Sequence, residues 1–386
     1  MTKKVFFKGR QFLPGPTSVW LRGATDDLVR STYHRSSEFK QTLLSVRKNL
    51  APFFGTKTNP ILFSSSGTGA MESAVVNLTN IADQVLVLSA GKFGERWVEL
   101  CEAYDCQVHV LHIPWGEGPD FKVLEQKLKE LPQLKACFLQ GVETSTGVRF
   151  SIKKIGELVK KYTKAFTVVD AVTSLCSEKN EMDAWQVDCM IGGSQKGFGV
   201  SAGLSFFALS EYALDNLSQR PRFYFDYKKE FLEQEQGLTA WSSAVALVES
   251  LDFALKKIHD FGLESFIAQH SFIAQAVRKS LVQMGCQFFT KGEPSASVTA
   301  FYPPSGIKAS ELLKKLKGNY GVEFSGGQSQ LKDKVLRIGH LGFLDPLDLV
   351  SAIAALEYAL KDLGSSHKLG TGVSVFMEEY YKLALQ

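Results

Sequence analysis

Between about residue 60 and residue 210 the chain alternates short apolar runs with amphipathic stretches, and few architectures accept that rhythm. Residues 60–64, 84–89, 107–113, 136–142, 166–172, 187–192 and 204–209 read as strands. Helical periodicity separates most of them. After residue 69, for example, Met71, Ala74, Val75, Leu78 and Ile81 recur at three- and four-residue spacing. Residues 94–104, 121–131 and 152–162 read as further helices. Strand–helix alternation of this kind gives a parallel, doubly wound α/β sheet with helices on both faces.

The rest of the chain follows another pattern. Residues 211–260 read as mostly helical. A smaller α+β unit is expected from 262, with helices at 263–284, 308–316 and 347–363 and strands at 286–289, 297–302, 322–324 and 334–338. The expected division is an N-terminal arm (1–20), a large domain (21–261), a small C-terminal domain (262–364) and a tail (365–386). In the tail, Val375, Met377, Tyr380, Tyr381 and Leu383 suggest an amphipathic helix.

Composition narrows the classes. A net charge of +4 over 386 residues, with basic and acidic residues interleaved, argues against nucleic-acid binding. The six cysteines form no CxxC pair, so buried free thiols and a cytoplasmic setting are expected. His109 and His112 point to opposite faces of one strand and are read as structural, so no metal site is expected. The N-terminus lacks the apolar core of a signal peptide, and no apolar run is long enough to cross a bilayer.

Open α/β sheets bind ligands beyond the carboxyl ends of their strands. That is where this chain places its notable polar residues. Ser65-Ser-Gly-Thr-Gly69 opens a helix and is an anion cradle or an ordinary capped turn; it is neither a P-loop nor a dinucleotide fingerprint. Asp170 ends an apolar strand, as a ligand-facing carboxylate or a solvated cap. Lys196 sits among glycines in Ile191-Gly-Gly-Ser-Gln-Lys-Gly-Phe-Gly199, where close backbone approach and burial favour a neutral, nucleophilic amine. Arg337, in an alternating strand pattern, is a rim salt bridge or a fork for a carboxylate. An amine, a carboxylate and a phosphate cradle are the parts that pyridoxal phosphate requires: a Schiff-base partner, an acid for its ring nitrogen and an anion site.

Several ordered motifs then resemble one family. They are Phe12-Leu-Pro-Gly-Pro-Thr17, His34-Arg-Ser-Ser-Glu-Phe39, Ser66-Gly-Thr-Gly-Ala-Met-Glu72, Gly141-Val-Glu-Thr-Ser-Thr-Gly147, Val169-Asp170, Gly193-Ser-Gln-Lys196, Phe223-Tyr-Phe-Asp226 and Val335-Leu-Arg-Ile-Gly339. The chain resembles class V, fold-type I pyridoxal-phosphate-dependent aminotransferases, nearest the alanine–glyoxylate and serine–pyruvate branch. The resemblance runs to about residue 363. It implies a large domain with a mainly parallel seven-stranded sheet sandwiched by helices, and a smaller α+β domain. Lys196 is implied as the Schiff-base lysine and Asp170 as the partner of the pyridine nitrogen, with Val172 packed on the ring. Thr144 and Gln195 are implied near the ring hydroxyl, Ser66, Gly67 and Thr68 at the phosphate, and Phe93 stacked on the ring, although Phe93 also suits a core. Arg337 is implied as the substrate-carboxylate fork. The family implies a homodimer with shared active sites, in which Thr239 or Ser242, in Gly237-Leu-Thr-Ala-Trp-Ser-Ser243, reaches the neighbour's phosphate.

Three departures qualify this. Ser242-Ser243 stands where the family often has Thr-Pro; Ser201-Ala-Gly203 replaces Pro-Pro-Gly; and the tail has no family counterpart. The expected function is ping-pong amino transfer between a small amino acid of the alanine or serine type and a small 2-oxo acid, glyoxylate or pyruvate. The alternatives are phosphonate-amine or phosphoserine transamination on the same scaffold, or a non-catalytic partner protein that keeps the fold. Gln195 argues against a cysteine desulfurase, which is expected to have His before its lysine.

Overall fold

The computed structural model describes residues 8–19 and 32–384. The first seven residues of the expected arm and residues 20–31 lie outside that set. A seven-stranded sheet forms the centre. Its strands are β1 (Ile61–Phe63), β2 (Gln84–Ser89), β3 (Gln107–His112), β4 (Ala136–Gln140), β5 (Phe166–Asp170), β6 (Cys189–Gly193) and β7 (Ser205–Leu209). Their order is β1-β7-β6-β5-β4-β2-β3, and β7 alone runs antiparallel to both its neighbours.

Both faces of this sheet are buried, which is why its strands read as unbroken apolar runs. In β4, Ala136 and Phe138 enter one core and Cys137 and Leu139 the other. In β2, Val85 and Val87 share the first core, while Leu86 and Leu88 share the second. Helices α2 (Gly67–Leu78) and α3 (Lys92–Ala103) cover the first face through Met71, Ala74, Val75, Leu78 and Trp97. Helices α1 (Ser37–Phe54), α4 (Phe121–Glu130), α5 (Ile152–Tyr162) and α6 (Val245–Phe261) cover the second. Each fully buried aromatic, such as Phe138 or Phe206, contributes about 1.5–3 kcal/mol by leaving water.

Residues 211–260 are mostly helical, as expected, but the helices are interrupted. Besides α6 they hold only the short helices Glu211–Asp215 and Tyr227–Gln234, separated by extended chain. In one of those gaps Asn77 on α2 pins the backbone, donating to the Phe225 carbonyl and accepting from the Tyr227 N–H. Tertiary bonds of this kind override local periodicity.

A second sheet follows in the order β8 (Gln287–Phe288), β9 (Val298–Tyr302), β11 (Leu336–Gly339), β10 (Ser325–Gly326), all antiparallel. It shares a separate core with α7 (Leu263–Gln283), α8 (Ala309–Tyr320), α9 (Pro346–Asp362) and α10 (Thr371–Ala384). The segment expected as a strand at 322–324 stays out of this sheet. Val322–Glu323 pairs instead with Arg10–Gln11, in parallel, and Phe12 then enters the small core. The tail forms the expected helix, α10, but its buried face coincides only in part with the expected one. Phe376 is buried and Val373 and Tyr380 pack beside it, whereas Met377 and Tyr381 face solvent.

Candidate active site

Because β1, β2, β4, β5 and β6 point the same way, their carboxyl ends deliver the site residues to one edge of the sheet. β6 ends at Gly193, and Gln195 and Lys196 follow in the turn. The Lys196 amine donates to the Pro14 carbonyl at 2.5 Å. Thr17 fixes that contact from the other side. Its N–H donates to the Gln195 carbonyl (3.0 Å) and its hydroxyl to the Lys196 carbonyl (2.8 Å). Gly15 takes a φ of +121°, where a side chain is strained, and an added Cβ there would push on the end of the Lys196 side chain, 2.4–2.6 Å away. Burial pulls the Lys196 amine down to about 8, with Arg337 and Arg96 adding to the effect and Asp170 opposing it.

Asp170 is the last residue of β5 and is buried. Its carboxylate accepts the Val172 N–H at 2.9 Å. Desolvation raises it to about 6, against the pull of that bond and of Lys196 and Arg96. No described lysine or arginine pairs with it directly. Val172 packs against Gly67, where an added Cβ would lie 3.2 Å from Val172 Cγ2 and 3.8 Å from Gln195 Nε2. The Gln195 Oε1 is buried with no partner among the described residues.

Ser66 caps α2, its hydroxyl accepting the Gly69 N–H at 3.4 Å. The N–H groups of Gly67 and Thr68 have no acceptor within the helix, a consequence of helix geometry. Arg96, one turn into α3, donates to the Thr68 hydroxyl (3.2 Å) and lies over the Phe93 ring at 4.9 Å. Thr144 shares a hydroxyl–hydroxyl bond of 2.9 Å with Thr173. Arg337 on β11 donates Nε to the Gly326 carbonyl (3.0 Å) and Nη1 to the Thr144 carbonyl (3.1 Å). Its Nη2 is left for another acceptor. Burial lowers Arg337 to about 10, and the charge of Glu143 opposes the shift.

One edge therefore gathers Ser66, Gly67, Thr68, Phe93, Thr144, Asp170, Val172, Gln195, Lys196 and Arg337. Thr239 and Ser242 stand apart, in a narrow groove with Ser64, Tyr224 and Leu204. Sequence reasoning gave no role to Pro14, Thr17, Arg96, Glu143 or Ser145. All five act through backbone or long-range partners, which spacing does not reveal. The signal for Glu143 was an acidic residue inside an apolar strand–turn, next to a helix that begins after Gly91 without a capping side chain.

The chain is similar to known proteins over most of its length. The class-V aminotransferase family profile matches residues 21–339. The chain is 34% identical over 390 residues to a serine–glyoxylate aminotransferase of Hyphomicrobium methylovorum, covering 97% of this chain and 95% of that protein. It is 32% identical over 373 residues to a protein named soluble hydrogenase, small subunit, of a Synechococcus species, covering 95% and 97%. A solved alanine–glyoxylate aminotransferase from Nostoc superposes with a TM-score of 0.86 at 27% identity, covering 93% and 97%.

Proposed function

Because the chain belongs to the class-V aminotransferase family, we propose that it moves an amino group between a small amino acid of the serine or alanine type and a small 2-oxo acid such as glyoxylate or pyruvate. It is a pyridoxal-phosphate-dependent transaminase. The observation that carries the reading is the pairing of a desolvated amine, Lys196, with a buried carboxylate, Asp170, that lacks a cationic partner among the described residues.

These residues fit the cofactor. Lys196 would hold it covalently, Asp170 would meet its ring nitrogen, and the free N–H groups of Gly67 and Thr68, with the Ser66 hydroxyl, would take its phosphate. Val172 and Phe93 would pack beside it, and Thr144 and Gln195, whose buried Oε1 has no partner among the described residues, would supply further polar contacts. When bound, pyridoxal phosphate supplies a carbonyl that accepts the amine and a charged ring that withdraws electrons from the substrate α-carbon.

The protein does the rest. The Lys196 amine, which burial brings down to about 8, would take the α-proton and return it near neutral pH. Asp170 keeps the nitrogen-side proton in place. Arg337 offers its remaining N–H groups to the substrate carboxylate, which orients the α C–H bond.

We further propose a homodimer. Thr239 and Ser242 sit beside exposed aromatics, with Phe223 and Trp241 4.6 Å apart and Phe223 75% exposed. An exposed aromatic such as Phe223, packed on the half-buried Trp241, is a characteristic anchor for a partner surface. Among the described residues no helix is long and apolar enough to cross a membrane, and we place the enzyme in the cytoplasm, in keeping with its free cysteines.

The test is a donor–acceptor panel on the reconstituted enzyme. Serine or alanine is expected to convert the bound cofactor to its amine form, and glyoxylate or pyruvate to restore it. A cofactor spectrum unmoved by every amino donor would contradict the reading.

A further inference from the structure

Helix α3 starts without a cap of its own. Gly91 has no side chain to offer, and the first N–H groups of a helix need acceptors. They find them on the hairpin that follows β4, in which Val142–Glu143 pairs with Val148–Arg149. The Ser145 hydroxyl accepts the Lys92 N–H at 3.1 Å. The Glu143 carboxylate accepts the Phe93 and Gly94 N–H groups, both at 3.1 Å. Its other oxygen takes the Ser145 N–H (3.1 Å) and hydroxyl (2.5 Å). Glu143 is fully buried, and its contact with α3 is so close that an added Cβ at Gly91 would lie 2.4 Å from Ser145 Oγ and 2.6 Å from Glu143 Cγ.

A buried carboxylate is costly to keep, so its placement calls for a reason. Every bond it makes fixes either the first turn of α3 or the turn that carries Thr144. The first turn of α3 holds Phe93. We propose that Glu143 is a positioning residue for the reaction: it fixes the Phe93 ring against the cofactor by capping α3 from outside the helix. The proposal rests on the reading above that Phe93 stacks on pyridoxal phosphate.

A second helix supplies the control. α10 is also capped from outside, by the Glu357 carboxylate of α9, which accepts the N–H groups of Gly370 (2.6 Å), Gly372 (2.5 Å) and Val373 (3.2 Å). That cap lies in the tail.

The experiment measures cofactor dissociation constants and the visible circular dichroism of bound cofactor for Glu143→Gln, Phe93→Ala, the double variant and Glu357→Gln, beside the parent protein. A second, gentler variant, Ser145→Ala, covers the case in which Glu143→Gln fails to fold. Glu143→Gln is expected to weaken cofactor binding about 10-fold, on the scale of a buried cap interaction, and to reduce the dichroic band. In the Phe93→Ala background the same change should have almost no further effect. Glu357→Gln should lower melting temperature while leaving binding and band intact. Ser145→Ala should act in the same direction as Glu143→Gln, by a smaller factor. Parent-like binding in Glu143→Gln, or an equal loss in the Phe93→Ala background, overturns the proposal. If Glu143→Gln does not fold, parent-like binding and dichroism in Ser145→Ala overturn it. Those results leave the cofactor reading standing, since that reading fails only if the parent protein itself binds no cofactor.

Discussion

The sheet edge and the C-terminal tail solve the same problem in different surroundings. Each begins a helix with a buried carboxylate borrowed from another element, Glu143 for α3 and Glu357 for α10. In the tail three N–H groups satisfy the carboxylate. At the sheet edge, burial raises Glu143 despite its four donors, and around it Asp170, Lys196 and Arg337 are held away from their ordinary ionisation. The difference teaches where this protein spends stability. The tail uses buried polarity to anchor a helix, whereas the edge keeps charges desolvated and available to a ligand.

The sharpest way to test that contrast is to damage the tail. Phe376 is buried against the small core, so Phe376→Ala is expected to cost about 3–5 kcal/mol of stability, measured by denaturant unfolding. The turnover number per folded molecule should stay at the parent value. A fall in turnover of the folded fraction would tie the tail to the site and break the comparison.

Asp170→Asn should behave the opposite way. Removing the carboxylate is expected to cut turnover by about 100- to 1000-fold, the loss typical of a charge aimed at a reacting system. Stability should move the other way. Since folding raises the Asp170 carboxyl to about 6, its contribution is most favourable below the unfolded value and is lost as pH rises through about 6. The cofactor-free Asn variant should therefore melt at a higher temperature than the parent at pH 7.

Arg337→Lys is expected to raise the KM for the amino acid about 10- to 100-fold, because an ammonium cannot fork a carboxylate. Cofactor affinity should be unchanged, and titration of the cofactor into the variant checks that. The smallest effect is one of pH. The rate at which cofactor-free enzyme takes up pyridoxal phosphate should climb with pH and level off above about 8, as Lys196 loses its proton. A rate that is flat across that range would mean that the amine is not desolvated as described.

Much of this architecture was legible in the sequence, for a physical reason. A strand buried on both faces must be apolar throughout, and a helix covering it must be apolar on one side, so the alternation from residue 60 to 210 carries its own interpretation. The strand-end positions of Asp170 and Lys196 follow from the same pattern. Partnerships between distant segments were not legible. Val322–Glu323 pairs with Arg10–Gln11, Asn77 holds the Phe225–Tyr227 backbone, and Pro14 faces Lys196. Each is set by tertiary packing, which leaves no period in the chain. Glu143 lies inside the Gly141–Gly147 motif and Arg96 three residues beyond Phe93, yet their bonds run to helices elsewhere.

Everything at the sheet edge depends on the amine of Lys196 being the group that receives the cofactor. The direct test is borohydride reduction of the reconstituted enzyme followed by peptide mass mapping, with Lys196→Ala alongside. A single phosphopyridoxyl adduct on the peptide containing Lys196, absent from the variant, is the expected result. An adduct of equal yield on another lysine, persisting in Lys196→Ala, would contradict the account.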